Sequence, residues 1–185
     1  MTYQAPSASF LFTIKTLGRA FGFAHEYLQD DLVSAVIQEA DRLAQNTIVP
    51  LRKQGDRIGA KLDGQKVTMP PGYVQAYAEY CAGGWNAMPF AQEWGGQNLP
   101  WLLSSAVDEI WHAADMAFGL CPLLNKSALE LLLAFGDDKQ KQIYLPAMMR
   151  GHWSGTMNLT ESNAGSDLSA IRCRAEHHQD HYRIY

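Results

Sequence analysis

Cysteine, charge and long apolar runs are all scarce in this chain. Its three cysteines, Cys81, Cys121 and Cys173, lie far apart in 185 residues. They cannot all pair, which argues against a disulfide framework and a Cys-x-x-Cys metal site and points to a reducing compartment. Charged residues make up 18% and the net charge is -4, so no basic field exists to draw in a phosphate backbone, and no nucleic-acid partner is expected. The apolar run Ala8–Ile14 stops at Lys15 and Arg19, and no basic residue precedes it. Neither a secretory leader nor a membrane span is therefore expected, and the location read from this is cytoplasmic. No internal repeat, low-complexity tract, Gly-x-Gly-x-x-Gly or Walker pattern occurs.

What is present is apolar residue in periodic order, 47% of the chain, enough to build a core. The apolar positions Leu32, Val33, Val36, Ile37, Ala40, Leu43, Ala44 and Ile48 follow the helical period, and Pro50 is expected to close that helix. An earlier helix is predicted around Ala8–Phe21, ending near Gly22. Arg52–Pro71 reads as a connecting excursion with a short strand at Lys66–Met69, and Pro71 as the first turn of a helix reaching Ala82. A long helix follows Trp94-Gly95-Gly96 until Pro122 breaks it; Leu124–Phe135 forms the next. Asp137-Asp138-Lys139-Gln140 resembles a capping box opening another, which ends near Gly151. The period then changes to two at Trp153–Thr160, the alternation of a strand. Two more strand-like runs, Leu168–Ala175 and Tyr182–Tyr185, flank a polar turn at Glu176–His181. The reading is mainly α: a helical domain over 1–151, with an extra segment 1–27, then an incomplete β domain over 152–185.

Several constellations carry potential chemistry. His177, His178, Asp180 and His181 offer zinc-type ligands, but closely spaced ligands on a turn seldom close a tetrahedron, so a solvated turn and no metal site are expected. His25, His112 and His152 are isolated. Gly151-His152-Trp153-Ser154-Gly155 has the wrong spacing for a nucleophile elbow. The loop Met157–Asp167 is rich in small and hydroxylic residues whose N–H and O–H groups suit a planar polar ligand or a pyrophosphate; an ordinary turn is the competing reading.

The segment Leu159-Thr160-Glu161-Ser162-Asn163-Ala164-Gly165-Ser166-Asp167 resembles the Thr-Glu-Pro-x-Ala-Gly-Ser-Asp signature of acyl-CoA dehydrogenases, departing from it at Ser162. Glu93-Trp94-Gly95-Gly96-Gln97 is similar to that family's Glu-Tyr-Gly-Gly loop, and Phe135–Pro146 to its helix-turn-helix before the sheet. Tyr3-x-Ala5-Pro6 resembles the longer bacterial members, including those acting on methylthiopropionyl-CoA. The resemblance implies an N-terminal helical domain and the first strands of a β-barrel-like middle domain, with the C-terminal helical domain absent. It also implies FAD, an acyl-CoA substrate oxidised between Cα and Cβ, an electron-transfer flavoprotein or similar acceptor, and a homo-oligomer. Carried over, Met157, Leu159 and Thr160 contact the flavin; Ser166 contacts flavin and acyl-CoA; Gly119 and Leu123 line the acyl pocket. Glu161 is expected to be structural, since the family's catalytic base belongs to the absent domain, so no catalytic residue is assigned and the chain alone is expected to be inactive. The alternative from another class is a non-enzymatic helical scaffold or dimerisation module that keeps the family fold.

Overall fold

A computed structural model describes residues 3–22 and 28–185. His25 and part of the extra segment 1–27 lie outside the described residues. By internal contacts the chain divides into two units, residues 1–155 and 156–185.

The first unit is a stack of helices: α1 (Ser7–Phe21), α2 (Asp30–Leu43), α3 (Val49–Ile58), α4 (Tyr73–Ala82), α5 (Trp101–Ala114), α6 (Met116–Phe135) and α7 (Asp138–Met149). Gly22 ends α1 at a positive φ of 63° and returns its N–H to the Gly18 carbonyl, as a left-handed cap does. Along α2 the expected stripe is realised: Val33, Ile37, Ala40 and Leu43 are buried. They join Ile14, Ile48, Tyr80, Leu103, Val107, Ile110 and Trp111 in one core, each large aliphatic contributing about 1.5–3 kcal/mol. A second cluster gathers Phe90, Leu129, Leu145, Met148 and Met149. Asp137 opens α7 with a capping box, accepting the Gln140 N–H at 2.7 Å while the Gln140 side chain accepts the Asp137 N–H at 2.9 Å. In the Trp94-Gly95-Gly96 turn a Cβ on Gly96 would lie 2.0 Å from the Phe90 carbonyl oxygen, so only glycine fits there.

Proline misleads the sequence reading three times. Pro50 does not close a helix: a π-turn at Ala44–Ile48 carries the chain onward and Pro50 occupies the first turn of α3, where its missing N–H costs nothing. Arg52–Ile58 is therefore helical, and the excursion shrinks to a hairpin of β1 (Lys61–Asp63) and β2 (Lys66–Thr68). Pro71 stays outside α4, whose N-cap is Gly72. The break expected at Pro122 falls instead at Asp115, and α6 runs straight through the proline. Asp115 Oδ1 accepts the Ala117 N–H at 2.9 Å and the Phe118 N–H at 3.4 Å, so a new helix begins there. Pro122 sits on the buried face with Phe118, Gly119, Asn125, Lys126 and Leu129, and that packing offsets an interior-proline penalty of about 3 kcal/mol.

The strand expected at Trp153–Thr160 is absent. The N–H groups of His152 and Trp153 both bond to the Ala147 carbonyl, at 2.9 and 3.2 Å, which folds them back on α7. Residues 156–160 are irregular and have no sheet partner among the described residues. Alternation marks which side chains share a face; it supplies no neighbouring strand. The run Leu168–Ala175 is likewise not a strand. Asp167 accepts the Ser169 N–H at 3.0 Å and holds Leu168–Ala170 in a 3-10 turn. The second unit ends in a hairpin of β3 (Ala175–His178) and β4 (His181–Ile184), with Ala175 opposite Ile184 and His178 opposite His181. The polar turn is only Gln179-Asp180, Gln179 taking a positive φ of 56°. Two paired strands are not a barrel, and the barrel-like part of the fold reading goes no further than this hairpin.

Candidate functional site

Two regions carry the residues that the sequence singled out. In the second unit, Glu161 pairs with Ala164 through N–H···O=C bonds of 3.0 and 3.1 Å, closing a tight loop. Its carboxylate accepts the N–H of Arg172 at 2.9 Å and of Cys173 at 2.8 Å. Both oxygens thus accept backbone donors, and Glu161 holds the loop together. Immediately before it, Met157, Asn158, Leu159 and Thr160 are exposed, and their backbone groups have no hydrogen-bond partner among the described residues. Ser166 is also exposed. A stretch of unpaired N–H, C=O and hydroxyl groups can bind the polar edge of a planar heterocycle.

In the first unit, Gly119 is buried in α6, and a Cβ on it would lie 2.9 Å from the His112 ring, so its smallness serves the contact with α5. His112 in turn sets Nδ1 2.7 Å from the Asp108 carbonyl. Leu123, one turn further along α6, is exposed together with Met116, Leu120, Leu131 and Phe135. These positions recur at helical spacing, so α6 presents a largely apolar outer face, interrupted at Ser127. By length and composition α6 could also cross a membrane. Its inner face, however, is that of a core helix, with Asn125 and Lys126 buried and held by neighbouring elements.

Sequence reasoning missed the polar groups that organise this unit. Tyr73 Oη donates to Asp115 Oδ2 at 2.5 Å, beside a cavity of about 670 Å3 lined by Arg52, Asp56, Met69, Tyr73 and Asp115. Both Asp115 oxygens are engaged, one by Tyr73 and one by the α6 N-terminus, which makes it a strut between α4 and α6. Lys126 Nζ reaches Asp108 at 2.6 Å and Ser104 at 3.2 Å. Asn125 and Asn86 form a second network. The available signal was the polar pair Asn125-Lys126 on the buried face of a mostly apolar helix. Splitting that helix at Pro122 hid its phase.

Burial pushes the Cys81 and Cys121 thiols up, so neither is a thiolate at neutral pH. Burial likewise raises the phenols of Tyr3, up to about 12, and of Tyr73, Tyr77 and Tyr80; Asp115 adds to the effect at Tyr73. The folded chain therefore keeps protons that the unfolded chain releases above about pH 10. Stability from these groups is fully present below that pH and falls as pH rises through the folded values. Urea unfolding between pH 8 and 12 should show this decline. Tyr80→Phe should flatten it and should be neutral or stabilising at pH 7, since the Tyr80 hydroxyl is buried without a hydrogen-bond partner among the described residues. A Tyr80→Phe profile as steep as the parent's would contradict this.

Comparison with known proteins agrees with this architecture. The family profile described as acyl-CoA dehydrogenase, N-terminal domain, matches residues 32–152. The 3-methylmercaptopropionyl-CoA dehydrogenase of Ruegeria pomeroyi is 43% identical over 180 residues, covering 95% of this chain and 30% of the relative. A broad-specificity linear acyl-CoA dehydrogenase of Mycobacterium tuberculosis is 27% identical, covering 92% of this chain and 28% of its own length. This chain thus spans about a third or less of the length of these relatives. Among solved structures, a chain from work on the electron transferring flavoprotein of Acidaminococcus fermentans and flavin-based electron bifurcation superposes with a TM-score of 0.69 at 23% identity. That match covers 82% of this chain and 37% of the other, and speaks to fold alone. On the match of residues 32–152, the chain belongs to the acyl-CoA dehydrogenase family.

Proposed function

We propose that these 185 residues are the N-terminal portion of an FAD-dependent acyl-CoA dehydrogenase, which removes a proton from Cα and a hydride from Cβ of an acyl-CoA thioester. The observation that carries the reading is the unpaired stretch 157–160 leading into the loop that Glu161 ties. The donors and acceptors there fit a heterocycle edge. FAD, when bound, supplies the hydride acceptor. In this reading Met157, Leu159 and Thr160 hold the flavin ring through backbone groups and the Thr160 hydroxyl, and Ser166 serves both flavin and acyl-CoA. Leu123, on the exposed apolar face of α6, meets the acyl chain, while Gly119 lets α6 approach α5. Similarity to the Ruegeria pomeroyi relative favours a short acyl group bearing a thioether. The base is a carboxylate outside this span, because Glu161 is committed to Arg172 and Cys173. Electrons leave to an electron-transfer flavoprotein or similar acceptor, from a homo-oligomer in the cytoplasm.

Alone, the chain should neither retain FAD nor turn over substrate. A few hydrogen bonds of about 0.5–1.5 kcal/mol each do not offset an association cost of roughly 4–15 kcal/mol. The test adds FAD to the purified chain and, in parallel, to the same chain extended to the length of its relatives, then adds 3-methylmercaptopropionyl-CoA. The extended form should be yellow and bleach, and Thr160→Val should weaken its flavin retention. A colourless extended form would favour the scaffold reading; a yellow, bleaching short chain would show that these residues complete the site themselves.

A further inference from the structure

The β3–β4 hairpin carries a pair of imidazoles that the dehydrogenase reading does not use. His178 and His181 are Cα partners across the ladder, so their side chains stand on one face. Their ring centres are 5.2 Å apart and their planes are inclined by 45°. His177 sits on the other face, edge-on to Tyr182. Asp180 Oδ1 lies 3.0 Å from His181 Nδ1. His178 Nδ1 is shielded from solvent and has no hydrogen-bond partner among the described residues.

We propose that His178 and His181 form a two-imidazole chelate for a divalent cation of the zinc class, with Asp180 as its orienting carboxylate. Geometry carries the argument. With a metal–nitrogen bond of about 2.0–2.1 Å and a nitrogen about 1.1 Å from its ring centre, two imidazoles on a tetrahedral ion have centres roughly 5 Å apart. The hairpin already holds them at that separation. Asp180 accepts the His181 Nδ1–H and leaves Nε2 with its lone pair free, the carboxylate–imidazole relay that fixes tautomer and ring orientation in metal sites. Neutral nitrogen donors select late transition cations over Mg2+ or Ca2+. No group of three or more His, Cys, Asp or Glu side chains among the described residues is gathered to hold an ion. The protein therefore supplies two ligands and water the rest, in an open chelate. The sequence reading placed all three imidazoles in a solvated hairpin turn over Glu176–His181. The hairpin instead puts two of them opposite each other and sends the third to the other face.

The experiment titrates ZnCl2 into the full chain and follows its 1H–15N spectra, imidazole resonances included. One equivalent should shift the ring signals of His178 and His181 and the amides of residues 178–181. His178→Ala and His181→Ala should each abolish saturable binding at the hairpin, and Asp180→Asn should weaken it by about 10-fold. His177→Ala should leave the affinity unchanged, and MgCl2 should shift nothing. The proposal is overturned if binding survives in the His178→Ala/His181→Ala double variant, if it is lost equally in His177→Ala, or if the unmodified chain shows no hairpin shifts at millimolar Zn2+. The residue-resolved spectrum of the unmodified chain decides even where a variant folds poorly.

Discussion

Replacing Asp108 by alanine should destabilise the chain by about 3–5 kcal/mol, the cost of leaving a buried charge without its partner. Lys126 is only 5% exposed along its side chain, and its ammonium has just Asp108 and Ser104 to neutralise and solvate it. Asp108 is less confined, at 23% exposed, so the reverse change is gentler. Lys126→Met leaves a carboxylate that can turn to water, and should cost under about 2 kcal/mol. Combining the two removes the orphaned charge and should recover most of the loss, a coupling that a double-mutant cycle in urea reads directly. Burial lowers the Lys126 pKa, and Asp108 opposes that shift. Without Asp108 the depression deepens, and between the folded value and the unfolded value of about 10.4 the unfolded state binds more protons. The instability of Asp108→Ala should therefore ease as pH rises across that window. A loss below about 1 kcal/mol at pH 7, or no coupling in the cycle, would contradict the account.

Asn125→Ala should cost about 2–4 kcal/mol, because it strands the buried Asn86 Oδ1 and the half-buried Gly155 N–H at once. The Asn125 amide nitrogen donates to Asn86 Oδ1 and to the Met148 carbonyl, both at 3.1 Å, and its oxygen accepts the Gly155 N–H at 2.9 Å. Asn86 donates in turn to the Met148 and Met149 carbonyls, at 2.7 and 3.2 Å. One asparagine thus joins α6, the turn after α4, the C-terminal end of α7 and the last residue of the first unit. Met148 keeps its bond to Asn86 in the variant, whereas Asn86 Oδ1 and the Gly155 N–H lose theirs. Hydrogen exchange should accelerate at Gly155 beyond what global destabilisation predicts. Asn125→Asp, which keeps the acceptor but loses both donors and buries a charge, should not rescue stability. If Gly155 exchanges at the parental rate after correction for global stability, the bond is not its anchor.

Reading Pro122 as a helix end shows how local rules mislead. Proline predicts a break from chain connectivity alone, yet α6 buries that proline on the face that packs against the bundle, and packing outweighs the lost bond. Asp115, the true N-cap, was legible by residue type, but a strut to Tyr73 from another helix is a contact between positions 42 apart. No window on the sequence contains both. The strand expected at Trp153–Thr160 failed for a related reason, since a strand exists only where a neighbour pairs with it, and the carbonyl of Ala147 claims its first N–H groups instead.

The sequence by itself determined where α1, α2, α4 and α7 lie, the buried stripe of α2, the capping box of α7 and the family signature around Glu161. All of these rest on spacing within a few residues, where backbone geometry dictates which side chains share a face. Only the tertiary structure decided that Glu161 is tied to the N–H groups of Arg172 and Cys173, that Gly119 serves a helix contact while Leu123 faces outward, and that Lys126 and Asn125 have partners for their buried polar groups. Each of those depends on desolvation and hydrogen bonding between distant segments, terms that acquire a value only once the chain has brought the groups together.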